Sequence, residues 1–139
     1  MNKSDILNRL EELSKGTLME AIKITYTDVG EDFISGKMQV NHLTKQPMGL
    51  LHGGATASLM ETLGSIGTFL HLESTNLFAA GIELNVNHIR GIREGFVYGK
   101  AKAIHLGKST HIWQIDVTNE EKKLIATGRL TMFIKEKSS

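Results

Sequence analysis

The stretch from about Gly53 to Leu72 is the one long helical candidate after the N-terminal segment, and it is unusually rich in small residues. These small residues are Gly53, Gly54, Ala55, Ala57, Ser58, Gly64, Ser65 and Gly67. Each glycine costs about 1 kcal/mol relative to alanine inside a helix. Repeated use of such residues indicates that a sheet or a ligand packs very close to the helix backbone.

The segments on either side of the helix are typical of β-strands, because Val, Ile, Thr and aromatic residues alternate with turn signals. An N-terminal helix, capped by Ser4 and ended by Gly16, precedes them. The predicted strands cover Leu18–Val29, Phe33–Asn41, Phe78–Arg90, Phe96–Leu106, Thr110–Thr118 and Leu124–Ile134. This order predicts an α+β fold with the helices on one face of an antiparallel sheet, whose last three strands form a meander.

Length and composition exclude several classes of function. We expect a single domain over residues 1–139, which is long enough to close a core. Sixteen Lys and Arg residues against fifteen Asp and Glu residues leave a net charge of +1, so the balance gives no support for nucleic acid or an anionic membrane. The absence of cysteine excludes disulfides and a cysteine nucleophile, and it fits a reducing cytoplasm. The charged N-terminus is unlike a signal peptide, and no stretch approaches the roughly 20 apolar residues of a membrane span.

Glu61 is the single carboxylate in the middle of the long helical candidate. Its neighbours three and four residues away carry no positive charge: they are Ala57, Ser58, Gly64 and Ser65. If this face is buried, the cost of removing the carboxylate from water requires compensation. Two interpretations follow: Glu61 faces water, or it is a reactive carboxylate in a pocket that acts as general base or nucleophile.

The tripeptide His52-Gly53-Gly54 begins the same helix. Glycines at a helix start leave unpaired backbone N–H groups that can bind an anion or polarise a carbonyl oxygen, although a plain loop-to-helix junction has the same sequence. Gly54 and Glu61 share a helix face but lie about 10 Å apart along the axis. Two antiparallel copies of the helix would bring Gly54 of one subunit to Glu61 of the other. The spacing therefore suggests a dimer with composite sites.

Other motifs give weaker signals. Gly107-Lys108-Ser109-Thr110 imitates the end of a phosphate-binding loop, but Lys102 stands where the first glycine is required and a strand follows, so a nucleotide triphosphatase is rejected. The turn is either a phosphate contact or a hairpin with a solvated lysine. His88, Arg90 and Arg93 could join Lys108 in a small basic patch. The histidines show no metal-ligand spacing, so no metal site is expected.

The motifs Gln-Pro-x-Gly-Leu-Leu-His-Gly-Gly, Glu61 and His-x-Arg occur in TKQPMGLLHGGATASLMETLGSIG and in the following AAGIELNVNHIRGIREG. Their combination closely resembles hotdog-fold acyl-CoA thioesterases of the hydroxybenzoyl-CoA and dihydroxynaphthoyl-CoA type, which are related to the phenylacetate-pathway thioesterases. The resemblance covers nearly the whole chain. It implies a long helix wrapped by an antiparallel sheet, and dimers with shared active sites that pair into tetramers.

The same resemblance implies roles for individual residues. Glu61 matches the catalytic carboxylate, and Gly54 matches the N–H group that polarises the thioester carbonyl. Gln46 and His52 match residues placed around the thioester from the partner subunit, while Ser65 matches a hydroxyl that positions water or the carboxylate. The segments that hold coenzyme A match at Gly81, His88, Arg90, Lys108, Ser109 and Thr110. No separate cofactor is implied, because coenzyme A is part of the acyl-CoA substrate.

Two alternatives to hydrolysis stay open from the sequence. One is a hotdog hydratase or dehydratase acting on enoyl thioesters, and the other is a non-catalytic acyl-CoA-binding protein. An aromatic acyl group is favoured, because the resemblance is closest to enzymes with such substrates. Ile66, Met48 and Phe69 are candidates for an apolar acyl pocket.

Overall fold

A computed structural model describes residues 1–138 of the chain. The helices and strands of this part, in chain order, are α1 Lys3–Ser14, α2 Leu18–Ala21, β1 Thr25–Val29, β2 Phe33–Gln39, α3 Gly53–Leu70, β3 Leu77–His88, β4 Phe96–Leu106, β5 Thr110–Thr118 and β6 Leu124–Glu136.

The six strands form one antiparallel sheet in the order β1-β2-β4-β5-β6-β3. Strands β4, β5 and β6 are consecutive neighbours, which confirms the predicted meander. Helix α3 contacts five of these strands, and fully buried side chains such as Leu59, Met60 and Leu63 join it to the sheet. The arrangement confirms the predicted α+β architecture and the long helix wrapped by a sheet.

The glycines of α3 explain how closely helix and sheet approach. A Cβ atom on Gly67 would lie 2.6 Å from the ring of Trp113, and one on Gly64 would lie 2.5 Å from Leu130. Both distances are too short for real side chains, so these positions require glycine. The sheet is therefore what packs against the small residues of this helix face.

The structure corrects the prediction of one strand over residues 18–29. Leu18–Ala21 is the short helix α2, and only Thr25–Val29 forms a strand. The sequence Leu-Met-Glu-Ala consists of strong helix formers. Gly16, in the left-handed region at φ +75°, donates its N–H to Glu20 Oε1 (3.1 Å) and starts the turn. Apolar alternation over so few residues fits either structure, which is why the pattern misled.

The N-terminal cap is also corrected. Asn2, not Ser4, caps α1: its Oδ1 accepts the N–H of Asp5 at 2.9 Å, while Ser4 lies inside the helix. Asparagine and serine are nearly equivalent as caps, so residue type does not favour Ser4 over Asn2. The predicted end near Gly16 is confirmed, because the helix stops at Ser14 and Gly16 turns the chain.

Replacing Gly67 with alanine tests the close contact between helix and sheet. We expect Gly67→Ala to lower the free energy of unfolding by about 1–3 kcal/mol, because the added methyl group overpacks a fully buried tryptophan. Helix propensity alone would raise it by about 1 kcal/mol. Urea denaturation measures the difference, and a stabilised variant would show that the contact is not rigid.

Candidate active site

The N-terminus of α3 is capped by the residue just before it. The carbonyl of His52 accepts the N–H groups of Ala55 and Thr56, at 3.0 and 3.2 Å, and its ring Nδ1 accepts the N–H of Gly54 at 2.7 Å. The Gly54 N–H was expected to be unpaired, and the structure corrects this expectation. The reason is that the imidazole two residues earlier serves as the cap acceptor. A ligand oxygen reaches this N–H only if it replaces the ring.

His52 is positioned by the loop that precedes it. Thr44, only 2% exposed, donates its hydroxyl to the carbonyl of Gln39 (2.9 Å) and accepts the N–H of Asn41 (3.0 Å). The carbonyl of Thr44 in turn accepts the N–H of His52 at 2.8 Å. Sequence reasoning missed Thr44. The signal was present in the spacing of Asn41 and Thr44, which is typical of side-chain-stabilised turns.

Gln46 lies in a tight turn beside the same helix end. Gly49, at φ +83°, donates its N–H to the Gln46 carbonyl at 2.9 Å, and the N–H of Met48 donates to Gln46 Oε1. Because its oxygen is occupied, the half-buried Gln46 side chain has its amide NH₂ left to donate to a ligand. Arg93 Nη1 donates to the Met48 carbonyl at 2.9 Å, so Arg93 holds this turn.

Gln46 shares a cavity of about 360 Å³ with Gly53, His88 and Arg90. The His88 ring lies directly against the start of α3, since a Cβ on Gly53 would be 3.1 Å from it. The structure therefore brings five of the predicted site residues to the N-terminal end of α3. These residues are Gln46, His52, Gly54, His88 and Arg90.

Glu61 lies about two turns further along α3, in a separate groove of about 440 Å³. The carboxylate is exposed, and among residues 1–138 no side chain forms a hydrogen bond or ion pair with it. Gly81 of β3 is beside it: a Cβ there would lie 3.2 Å from Glu61 Oε2. Ser65, one turn beyond, lines the same groove with its hydroxyl 3.6 Å from the sulfur of Met132. The carboxylate is thus open to solvent, and the other residues that line its groove are uncharged.

The acyl-pocket candidates do not lie together. Ile66 lines the groove of Glu61, together with Leu18, Met19 and Leu84. Phe69 instead lines a cavity under α1, and Met48 is 71% exposed in the turn after Gln46. The apolar walls are consequently formed by α2 and β3, whose contribution the sequence did not indicate.

The turn with Lys108 lies at the other end of α3. Gly107 donates its N–H to the Thr110 carbonyl at 2.9 Å, and Ile134 donates to the Ser109 carbonyl at 2.8 Å. Lys108 and Ser109 share a cavity of about 680 Å³ with His71, the residue that follows α3. His88 touches the first residue of this 18-residue helix, so Lys108 lies about 27 Å away along its axis. Within one chain, the predicted basic patch of Lys108 with His88, Arg90 and Arg93 does not form.

Two further observations concern residues 1–138. In this part of the chain, no three His, Asp or Glu side chains come together as a metal site would require. None of the helices described is both long and apolar enough to cross a membrane.

Comparison with known proteins gives one consistent result. Residues 48–126 match the family described as the thioesterase superfamily. A Vibrio cholerae protein provisionally named an esterase is 43% identical over 134 residues, which span 96% of this chain and 89% of that protein. The 1,4-dihydroxy-2-naphthoyl-CoA hydrolase of Escherichia coli K12 is 38% identical over 92% of this chain and 93% of its own length. The crystal structure of a Haemophilus influenzae thioesterase has a TM-score of 0.90 and 38% identity, covering 94% of this chain and 90% of that one.

His111 is a buried histidine near the C-terminal end of α3. It is 4% exposed, and its Nδ1 lies 3.1 Å from the Thr68 hydroxyl, which also accepts the N–H of Trp113 at 2.8 Å. Burial lowers the pKa of His111 from its ordinary value of 6.5, and repulsion from His71 lowers this pKa further. The unfolded chain therefore binds this proton at higher pH than the folded chain does. The contribution of His111 to the free energy of unfolding is therefore present above about pH 6.5 and is lost as the pH falls below this value.

We expect acid to destabilise the protein partly through His111. Between about pH 7.5 and about pH 5.5, the urea midpoint of the native protein should fall more than that of His111→Gln, which has no proton to take up. His42→Gln, a change in an exposed loop, serves as the control and should follow the native protein. Equal acid sensitivity of the native and His111→Gln proteins would contradict the assignment.

Proposed function

Because this chain belongs to the thioesterase superfamily, we propose that it hydrolyses the thioester of an acyl-CoA to a free acid and coenzyme A. The observation that carries the proposal is Glu61: an unpaired carboxylate, beside Gly81, in a groove with apolar walls. Its relative in E. coli is named as a hydrolase of 1,4-dihydroxy-2-naphthoyl-CoA, which supports an aromatic acyl group as substrate. The cytoplasmic location expected from the sequence is part of the same proposal.

The active site in this proposal is shared between two subunits. Gly54 and Glu61 are about 10 Å apart along one rigid helix, so a single carbonyl group does not reach both. Strand β3 is 12 residues long and lies at the edge of the sheet, with Ile82 61% exposed at its bulge. Edge strands of this length are ready to pair with another chain. A second copy pairing antiparallel along β3 would also place the two α3 helices antiparallel.

The neighbours of β3 indicate the register of that pairing. Gly81 lies beside Glu61, and His88 lies beside the start of α3. A two-fold axis between Leu84 and Asn85 places Gly81 opposite the partner's His88, because facing residue numbers in such a pair add to the same total. Glu61 of one subunit then faces the Gly54 end of the other helix.

The same register reassembles the basic patch. It places the partner's Arg90 opposite Ala79, which pairs with Ile134 of β6. Ile134 holds the turn of Ser109 through its N–H. The cations that lie far apart in one chain thereby approach each other across the dimer, where they suit the phosphates of coenzyme A. Pairing of such dimers into a tetramer is supported by exposed apolar side chains on the outer sheet face, Ile104 at 50% and Phe133 at 39%.

The proposed chemistry uses both helix ends. The thioester carbonyl replaces the His52 ring at the Gly54 N–H, and this donor and the helix dipole stabilise the oxyanion. Glu61 of the other subunit takes a proton from a water molecule whose oxygen attacks the carbonyl carbon, or its carboxylate attacks directly to form a mixed anhydride that water then cleaves. In both routes the carbon–sulfur bond breaks and its electron pair leaves on the thiolate of coenzyme A. If water cleaves the anhydride at the Glu61 carbonyl carbon, oxygen-18 from water enters Glu61 during a single turnover, and this label distinguishes the second route.

Glu61→Gln tests the proposed catalytic group. We expect the amide to keep the fold and to lower kcat for benzoyl-CoA by about 100-fold or more, since the amide is neither base nor nucleophile. Thiol release measured with a disulfide reagent gives the rate. Glu121→Gln, an exposed change in the β5–β6 turn, is the matched control and should keep full activity. Equal turnover by Glu61→Gln and native protein would refute the proposed role.

Mixing two variants, each expected to be inactive alone, tests the shared site. If each site takes Glu61 from one subunit and the ligand-binding amide of Gln46 from the other, a heterodimer of Glu61→Gln with Gln46→Ala retains one intact site. An equal mixture, unfolded and refolded together, should then recover about a quarter of native activity, because half of the dimers are mixed and each has one good site. No recovery, despite heterodimers proven by mass spectrometry, would mean that each chain holds a complete site.

A further inference from the structure

Helix α2 forms one wall of the groove that contains Glu61. Leu18 and Met19 line this groove from α2, while Leu84 lines it from β3. We propose that Leu18 and Met19 form the wall that selects the acyl group, so that the enzyme favours thioesters with an apolar acyl group large enough to reach α2. This inference rests on the proposed acyl-CoA hydrolysis and names the residues that determine its specificity.

The floor of the groove leads from the carboxylate toward this wall. Ala57, Ser58, Glu61, Thr62, Ser65 and Ile66 follow one face of α3. At 3.6 residues per turn, Glu61 and Ile66 are about 140° apart around the helix. Glu61 lies on the side of β3, next to Gly81, whereas Ile66 lies across the helix. An acyl group whose carbonyl is at Glu61 therefore extends over α3 toward an apolar surface.

Leu18 is the most exposed apolar residue of the groove wall. It is 58% exposed at the first position of α2. Met19 accepts the N–H of Ile24 at 2.9 Å through its carbonyl, and the N–H of Gly16 donates to Glu20 at 3.1 Å. An apolar side chain in the wall of the groove that contains the proposed catalytic carboxylate gains from being covered by an apolar part of the substrate.

Helix α2 also lies outside the residues that define the family. The family match covers residues 48–126, which include Glu61 and Leu84 but not Leu18 or Met19. The proposed reacting group thus lies in the matched region, whereas Leu18 and Met19 precede that region in the chain. A wall of this kind sets substrate preference without altering the chemistry.

Acyl-CoA hydrolysis by Leu18→Ala and Met19→Ala tests the wall. We expect kcat/KM for benzoyl-CoA to fall about tenfold in each variant, because contacts to the ring are lost. For acetyl-CoA, whose methyl group is too short to reach α2, kcat/KM should stay within about twofold of the native value. Leu13→Ala, which truncates a leucine 51% exposed on α1 and outside the groove, is the matched control and should change neither value.

Enlarging the Leu18 side chain, instead of truncating it, separates an effect on specificity from an effect on folding. Leu18→Trp should narrow the groove and lower kcat/KM for 2-naphthoyl-CoA more than for benzoyl-CoA, with thermal unfolding unchanged. The proposed wall would be refuted if the alanine variants kept the native ratio of kcat/KM for benzoyl-CoA to that for acetyl-CoA, and Leu18→Trp kept the native ratio for 2-naphthoyl-CoA to benzoyl-CoA. Such a result would leave the proposed hydrolysis standing. If native protein releases no more thiol from any of these acyl-CoAs than Glu61→Gln does, the proposed function fails, and the inference fails with it.

Discussion

Gly64 and Gly67 allow the backbone of α3 to lie directly against Leu130 and Trp113 of the sheet, and this contact fixes the rotation of the helix about its axis. One face of the helix is therefore buried in the core. Because residues repeat every 3.6 positions, the opposite face is determined at the same time. That face carries Glu61, and it forms the floor of a groove instead of a second layer of core. The rigidity of the helix thus supplies a fixed position for the carboxylate.

A rigid helix also separates the groups along it. The capped N-terminus, the carboxylate and the end near His71 occupy successive positions on 18 residues, about 27 Å in length. Because α3 is one continuous helix, these three positions stay apart within a single chain. The proposed assembly along the open edge of β3 would combine the two helix ends, and it would cover an edge strand of 12 residues.

The His52 cap occupies the N–H group that the proposed reaction uses. Before substrate is bound, the ring satisfies the Gly54 N–H, which would otherwise be an unpaired donor. In the proposed reaction, the substrate carbonyl oxygen replaces the ring nitrogen as the acceptor of the same N–H. The loop anchored by Thr44 holds the backbone of His52 in place, so only the ring has to move. In this arrangement the donor, the Gly54 N–H, is already in position, and the His52 ring is the acceptor that the substrate replaces in the proposed reaction.

Local patterns in the sequence determined much of this protein. Strands β4 and β5 begin and end where alternation predicted, α3 begins at Gly53 as predicted, and its glycines correctly indicated a close neighbour. These features depend on periodicity and on residue size, which each segment carries by itself. The motif around Glu61 likewise indicated the correct family, because the residue types and their spacing are contained in one continuous segment.

Only the tertiary structure decided which residues meet. It placed Leu18 in the wall of the groove, Gly81 beside Glu61, and Lys108 at the far end of α3 from His88 and Arg90. Local propensity does not contain this information, because strand order and helix direction set the distance between residues remote in sequence. The sequence therefore specified the chemical groups, whereas the packing of one helix on one sheet specified where each group could act.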